Sequence, residues 1–258
     1  MGSDPKAGRL LVATPLLGDP NFKRAVVLIV EHEDEQGTLG VVLNRPTTVG
    51  VGQVLEQWTE LATEPSVVFR GGPVAQNSAL ALALIPGKDE PVGWRALDGA
   101  PALARLGLLD LDTPPRLLAP AITSLRVYAG YAGWSPGQLE AEIDEGAWYV
   151  ITAQPGDVFA ADPDRLWRQV LRRQDGDLSF LATYPDDPTL NLSPGGTTPR
   201  TPRLRARWQK PPSYRARIRS SPRGTTPRTP RLRARWQRPP SYRARIRPPG
   251  SQPRSPGQ

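Results

Sequence analysis

Ser135 stands within Gly133-Trp-Ser-Pro-Gly137, which fits the G-x-S-x-G pattern of a hydrolase nucleophile elbow. Such a serine needs a base to take its proton and an oxyanion hole to hold the developing charge. One arm of that hole is the N–H of the residue after the serine. Here that residue is Pro136, which has no N–H. The single histidine of the chain, His32, precedes the serine. In hydrolases with this elbow the histidine follows, although geometry rather than order is the criterion. The same letters also read as a helix start, with Ser135 as N-cap, Pro136 as the favoured first residue and Gln138 completing an S-x-x-Q capping box. On that reading there is no catalytic residue, and Ser135→Ala costs about 0.5–2 kcal/mol of stability without abolishing an activity. A serine hydrolase using Ser135 is the alternative.

The other chemistry-bearing residues are scattered. His32 lies among Glu31, Glu33, Asp34 and Glu35. One histidine with carboxylates that alternate across a hairpin lacks metal-ligand spacing, so a solvated hairpin end is expected, with no metal and no cofactor. Gly71-Gly-Pro-Val74 could cradle an anion on its glycine N–H groups, or simply form a tight turn. Asn44 and Arg45, with Tyr131 and Trp134, would line a binding cleft if the strand ends converge. Glu140 and Glu142 point to different sides of a helix and make a poor acid/base pair.

The elements that must position these residues follow from periodicity and turn chemistry. Gly8-Arg-Leu-Leu-Val-Ala13 reads as a first strand. Residues 24–32 and 38–45 read as two apolar strands around the five-residue loop Glu33-Asp-Glu-Gln-Gly37, the second stopped by Pro46. Val51, Val54, Leu55, Trp58 and Leu61 fall at helical spacing, which predicts an amphipathic helix over 50–62. Short strands are expected at 66–70 and 78–85, a short helix at 99–106, and two strands at 124–133 and 147–152 flanking the Ser135 helix. Asp162 reads as an N-cap with Pro163 at the first position. The helix it starts should run to about Arg173 and bury Leu166, Trp167, Val170 and Leu171. Hairpins alternating with a few helices, without a βαβ rhythm, give an α+β fold with a largely antiparallel sheet.

Charge divides the chain in two. Residues 1–192 carry 15 Lys+Arg against 25 Asp+Glu, a net of −10, whereas residues 193–258 carry 18 Lys+Arg and no acid. The same 66 residues hold 14 of the 31 prolines, a composition that cannot bury enough apolar surface to offset chain entropy. The expected domains are therefore a globular body, 1–192, and a disordered Pro/Arg-rich tail, 193–258. Residues 196–219 recur at 224–247 with Arg238 for Lys210, a period of 28 residues. The repeat alternates cations (Arg203, Arg205, Arg207; Arg231, Arg233, Arg235) with rings (Trp208, Tyr214; Trp236, Tyr242). That pattern suits single-stranded nucleic acid, with cations on phosphates and rings stacked on bases. Equally, the tail reads as a recently duplicated GC-rich stretch or as translation beyond an original stop. The absence of cysteine removes disulfides, zinc ribbons and thiol nucleophiles. No apolar run approaches the roughly 18 residues of a spanning helix. With no signal peptide legible, a cytoplasmic location is expected.

Several motifs in order carry a family resemblance. They are Leu11-Val-Ala-Thr-Pro15 with Asp19, Phe22 and Arg24; Glu31-His32 with Gly40-Val-Val-Leu-Asn-Arg-Pro46; Gly71-Gly-Pro-Val74; Gly130-Tyr-Ala-Gly-Trp134 with Gly137-Gln-Leu-Glu140 and Trp148; and Leu166-Trp167. Over residues 8–191 the chain resembles the YqgE/AlgH family of small bacterial proteins; the tail lies outside the resemblance. A histidine that members often carry after the Gly-Gly-Pro-Val run is absent, the stretch here being Leu84-Ile-Pro-Gly87. The resemblance implies a bent sheet partly closed into a small barrel with surrounding helices. It implies no reaction, and one family name comes from a suggested regulatory link to exopolysaccharide production. The expected function is a non-enzymatic binding or regulatory protein whose body takes an unidentified protein or small ligand. The alternative is a nucleic-acid-binding or transcription-related protein acting through the tail.

Overall fold

In the computed structural model, which describes residues 4–87, 90–97, 103 and 105–185, the unbroken apolar run at 25–30 lies in a strand covered on both sides. That strand is β2 (Val26–Glu33), antiparallel to β1 (Arg9–Ala13) on one side and to β3 (Gly37–Val42) on the other. Val26, Leu28 and Val30 face one core, Val27 and Ile29 another, so the usual alternation of apolar and polar residues is missing. The β2–β3 hairpin turns at Gly37, whose φ of 91° suits glycine.

The remaining strands are β4 (Pro46–Gly50), β5 (Val67–Arg70), β6 (Val74–Leu84), β7 (Trp94–Ala96), β8 (Leu106–Leu109), β9 (Ser124–Trp134) and β10 (Trp148–Thr152). They form one sheet in the order β10-β1-β2-β3-β9-β6-β8-β7, with β5 attached to β9 and β4 to β5. All pairings are antiparallel except β5 with β9, which pairs Phe69 with Tyr128. The sheet curls into a half-barrel. Its curl brings Arg95 of β7, at one end of the order, to Glu31 of β2, whose carboxylate accepts from the guanidinium at 2.8 Å. The fold class read from the sequence is thus the one observed.

Strand β9 is the hub. Residues 124–129 pair with β6, and 132–134 pair with β3. Between them Gly130 has φ 72°, and there the alternation slips by one residue. Tyr128 and Tyr131 face the interior cluster around Leu10, Phe69 and Leu82. Val127 faces a second cluster with Trp58 and Leu125. Ala132 and Trp134 face a third with Phe22 and Trp148. A glycine bulge of this kind re-aims side chains and bends the strand.

Six short helices complete the described residues: α1 (Val51–Val54), α2 (Pro115–Leu118), α3 (Gln138–Asp144), α4 (Pro155–Val158), α5 (Leu166–Arg172) and α6 (Asp177–Leu181). Helix α5 buries Leu166, Trp167, Val170 and Leu171, the four residues its periodicity selects. Asp162 caps it through a preceding 3-10 turn, accepting from the Arg165 N–H at 3.3 Å. The expected helix over 50–62 is instead broken. After α1, Leu55 leaves helical geometry (φ −140°, ψ 64°) and Glu56–Leu61 continue as a 3-10 turn. The break allows the Trp58 indole to reach the Leu111 carbonyl at 3.3 Å from a fully buried position. Pro46 does not end the strand region but opens β4. Of the helix expected over 99–106, residue 106 begins β8 and most of the rest lies outside the described residues, as does the whole tail.

Arg126 and Tyr128 sit on the interior face of β9, 2% and 0% exposed. The Arg126 guanidinium donates to the carbonyls of Val158, Ala160 and Glu64 at 2.9–3.2 Å and lies 4.4 Å from the Phe69 ring centre. Burial pushes its pKa down and that of the Tyr128 phenol up.

Candidate functional site

Ser135 leaves the end of β9 and is exposed. Helix α3 starts at Gln138, after Gly137 with φ 74°. Half of the expected capping box forms: the Gln138 side chain accepts from the Ser135 N–H at 3.1 Å. The other half does not, because the serine lies two turn residues ahead of the helix. Ser135→Ala is therefore expected to change stability by less than about 0.5 kcal/mol, below the cap value, as thermal denaturation can check. His32 is engaged elsewhere. Its Nδ1 is 2.8 Å from Thr38 Oγ1, and its Nε2 lies 3.6 Å from Asp34 and 3.8 Å from Glu140. The imidazole ties the β2–β3 hairpin to α3. Among the described residues no group of three His, Cys, Asp or Glu side chains could hold a metal ion.

Trp134 is 3% exposed and part of a packed aromatic group. It lies 6.0 Å from Trp148 in an edge-on arrangement and 6.1 Å from Phe22. The Glu142 carboxylate accepts from both indole N–H groups at 2.9 Å and from Gln138 at 3.0 Å. The ring therefore clamps α3 onto the sheet. Tyr131 is half-buried against the interior. Gly71 and Gly72 cross β9 backbone to backbone. The Gly71 N–H donates to Ala129 O at 2.8 Å and its carbonyl accepts from Val42 at 2.8 Å. A Cβ on Gly71 would meet Gly130 O at 2.3 Å.

Asn44 and Arg45 do line a cleft, of about 240 Å³. Lys23 and Arg24 come to it from the loop before β2, and Asp164, Trp167 and Arg168 from the 3-10 turn and α5. Tyr131 and Trp134 are not among its walls. Asn44 shapes it: its side chain accepts from Val26 N–H at 2.9 Å and donates to Arg24 O at 2.8 Å, fixing a non-glycine residue at φ 55°. Arg24 stacks 4.5 Å from the buried Trp167 ring centre, and that indole donates to Ala13 O at 2.8 Å. Arg45 donates to the Asn44 and Lys23 carbonyls. Burial, and then the charge of Arg70, hold its pKa down, with Asp164 opposing. Four basic side chains thus face one acid in a partly enclosed space, a concentration of positive charge suited to an oxyanion.

Sequence reasoning missed Lys23, Arg24, Trp167 and Arg168 as partners of Asn44 and Arg45. Trp167 was legible only as a core residue. The tail residues singled out above, from Arg203 to Tyr242, lie outside the described residues.

The AlgH-like family model, DUF179, matches residues 10–179. The chain belongs to the AlgH-like family. A UPF0301 protein of Streptomyces coelicolor is 62% identical over 188 residues, 71% of this chain and 94% of that protein. Another from Thermobifida fusca is 57% identical over 71% of this chain and 94% of its own length. Among solved structures, a crystal structure of a protein from Corynebacterium diphtheriae matches with TM-score 0.66 and 33% identity, covering 71% of this chain and 95% of that one. The solution structure of the AlgH protein from Pseudomonas aeruginosa matches with TM-score 0.51 and 30% identity over 71% and 97%. The printed names of these relatives state no catalytic activity. The family match ends at residue 179, short of the repeat tail. Among the described residues of this AlgH-like chain no helix is long and apolar enough to cross a membrane.

Proposed function

We propose that this protein is a non-enzymatic, cytoplasmic binding protein whose body takes an anionic ligand in the cleft of Lys23, Arg24, Asn44, Arg45 and Arg168. The observation that carries this reading is the gathering of four cations around Asp164 in a body that is acidic overall. Retaining such mutually repelling charges costs stability unless a ligand uses them. The cleft offers no nucleophile paired to a base, so it supports binding rather than turnover. Trp167 is buried beneath Arg24 and its face is taken, which favours a compact oxyanion over a stacked base.

Titration calorimetry with inorganic pyrophosphate tests it. Saturable binding is expected, weakened at least about tenfold, or 1.4 kcal/mol, by the double variant Lys23→Glu, Arg45→Glu. No saturation at about 1 mM, where a site worth roughly 4 kcal/mol is half filled, or equal binding by the variant, would overturn it.

The repeated Arg-x-Arg-x-Arg tail with its interleaved rings favours a second reading, sequence-independent nucleic-acid binding. If about eight phosphates are engaged, affinity for single-stranded RNA should fall on the order of 10³–10⁵-fold between 50 and 200 mM salt. A flat response in filter binding, or unchanged binding after deletion of residues 193–258, would reject it.

A further inference from the structure

The positive charge of the cleft does not stop at its rim. The Arg70 N–H donates to the Arg45 carbonyl at 2.8 Å, one step beyond the Pro46–Phe69 pair of the β4–β5 ladder. Residues directly opposite in an antiparallel ladder carry their side chains on one face, with Cβ atoms about 4.5–5.5 Å apart. Arg45 and Arg70 are therefore a like-charge cross-strand pair, an arrangement that lowers stability. Arg45 also donates to the Lys23 carbonyl. Lys23, Arg45 and Arg70 thus form a row of cations that leads from the lining of the cleft to the exposed end of β5. The other two basic lining residues are engaged with backbone: Arg24 donates to the carbonyls of Tyr184, at 2.9 Å, and Pro185, and Arg168 to that of Ala182. The Lys23 ammonium and the Arg70 guanidinium, by contrast, make no hydrogen bond or ion pair with the described residues. Arg45 keeps N–H groups to spare beyond those given to Asn44 and Lys23.

We propose that the cleft is the inner end of a track for a linear phosphate chain of three or more phosphoryl groups, with its inner groups on Lys23 and Arg45 and its outer group on Arg70. This rests on the reading of the cleft as an anion site and names its ligand class. A single oxyanion between Lys23 and Arg45 leaves the outer cation unused. A phosphate chain sets successive negative charges along the row, and each guanidinium fork matches phosphoryl oxygens two at a time. Binding then offsets the Arg45–Arg70 repulsion that the free protein carries, and Arg70 becomes the residue that reads chain length. Free polyphosphate and the triphosphate of a nucleotide share this chemistry. The row addresses the chain alone, since the Trp167 face that could stack a base is taken by Arg24.

Lys23 supplies a local readout. It is exposed and is the one lysine of the lining, the others in the chain being Lys6, Lys88 and Lys210. Its protection from acylation, mapped by mass spectrometry, therefore reports the cleft separately from any binding to the basic tail. The full chain, without divalent metal, is titrated with pyrophosphate, tripolyphosphate and adenosine triphosphate. Tripolyphosphate should protect Lys23 at a concentration about tenfold below that needed of pyrophosphate, the worth of one further hydrogen-bonded charge pair. Arg70→Ala should raise the tripolyphosphate midpoint about tenfold and move that of pyrophosphate less than about twofold. Thermal denaturation should show this variant at least as stable as the wild type, because a like-charge pair has gone; a lower midpoint would overturn the pairing on which the proposal stands. Arg116→Ala removes an exposed charge from α2, outside the lining. An equal shift by Arg116→Ala, or none by Arg70→Ala, overturns the track while the cleft remains an anion site. Failure of all three ligands to protect Lys23 removes both readings. Protection by adenosine triphosphate within about threefold of tripolyphosphate supports a nucleotide-borne chain, and protection by tripolyphosphate alone supports a free one.

Discussion

Gly130→Ala is expected to lower the unfolding free energy by about 2–5 kcal/mol. Two costs combine. The residue sits at φ 72°, where a side chain costs roughly 1–2 kcal/mol. The added Cβ would also meet Val74 O at 2.6 Å and Gly72 O at 2.9 Å, and backbone carbonyls cannot turn aside as a flexible side chain would. Overpacking of that kind costs typically 1–3 kcal/mol. The consequence is more than local. Gly130 is where β9 exchanges its faces, so relief of the clash would rotate Trp134 away from Phe22 and Trp148 or pull Tyr128 from the interior. Denaturant unfolding should show a lower midpoint with an unchanged slope. Gly137→Ala provides a contrast: its φ is also positive, at 74°, but nothing lies within 4 Å of an added Cβ. It should lose only the conformational part, about 1–2 kcal/mol. Equal losses at the two sites would show that the backbone crossing does not matter.

Arg126→Met is the second large effect, an expected loss of about 3–5 kcal/mol from three buried carbonyls that lose their donor. The guanidinium is a buried cation without a carboxylate partner among its hydrogen bonds; three backbone carbonyls hold it. Those carbonyls belong to Glu64, ahead of β5, and to Val158 and Ala160, around the end of α4. The side chain therefore ties two distant loops to the hub strand. A methionine fills much of the space but leaves the acceptors buried, at about 1–3 kcal/mol for each group left unsatisfied. Tyr128→Phe on the same face should behave oppositely. Its hydroxyl has no hydrogen-bond partner among the described residues, so removing it should be neutral or stabilising. Thermal denaturation of the pair of variants decides the matter: similar destabilisation by both would overturn the assignment of the stabilising contacts to Arg126 alone.

Much of the scaffold was legible because it follows local rules. The four buried residues of α5, the Asp162 cap and the β2–β3 hairpin each depend on residues within one or two turns of each other. The run at 25–30 was legible as a strand because six apolar residues are too few for a spanning segment. What the sequence did not disclose depends on contacts distant along the chain. The helix over 50–62 breaks because Trp58 answers to Leu111, 53 residues away. Trp134 turns to the outer face because Gly130 slips the alternation, and nothing in Gly-Tyr-Ala-Gly-Trp distinguishes a bulge from a plain strand. The candidate site was half legible. Asn44 and Arg45 stood out as polar residues at a strand end, but Trp167 and Arg168 reach them only through tertiary folding. Arg24 owes its place to a backbone conformation that no pattern of neighbours signals. Gly71 and Gly72 looked like an anion cradle, since glycine letters do not reveal that the Gly71 N–H is already spent on Ala129 O.

The pairing of β1 with β10 bears on how the protein is made. Arg9 and Thr152 face each other across the ladder although 143 residues separate them. At 5–20 residues per second, synthesis of that interval takes roughly 7–30 s. For most of it β1 has β2 on one flank and no β10 on the other, with Leu10, Leu11, Val12 and Ala13 destined for full burial. The nascent chain must keep an apolar edge unpaired for longer than most domains take to fold, which makes this strand the segment most in need of shielding by the ribosome surface or a holding chaperone.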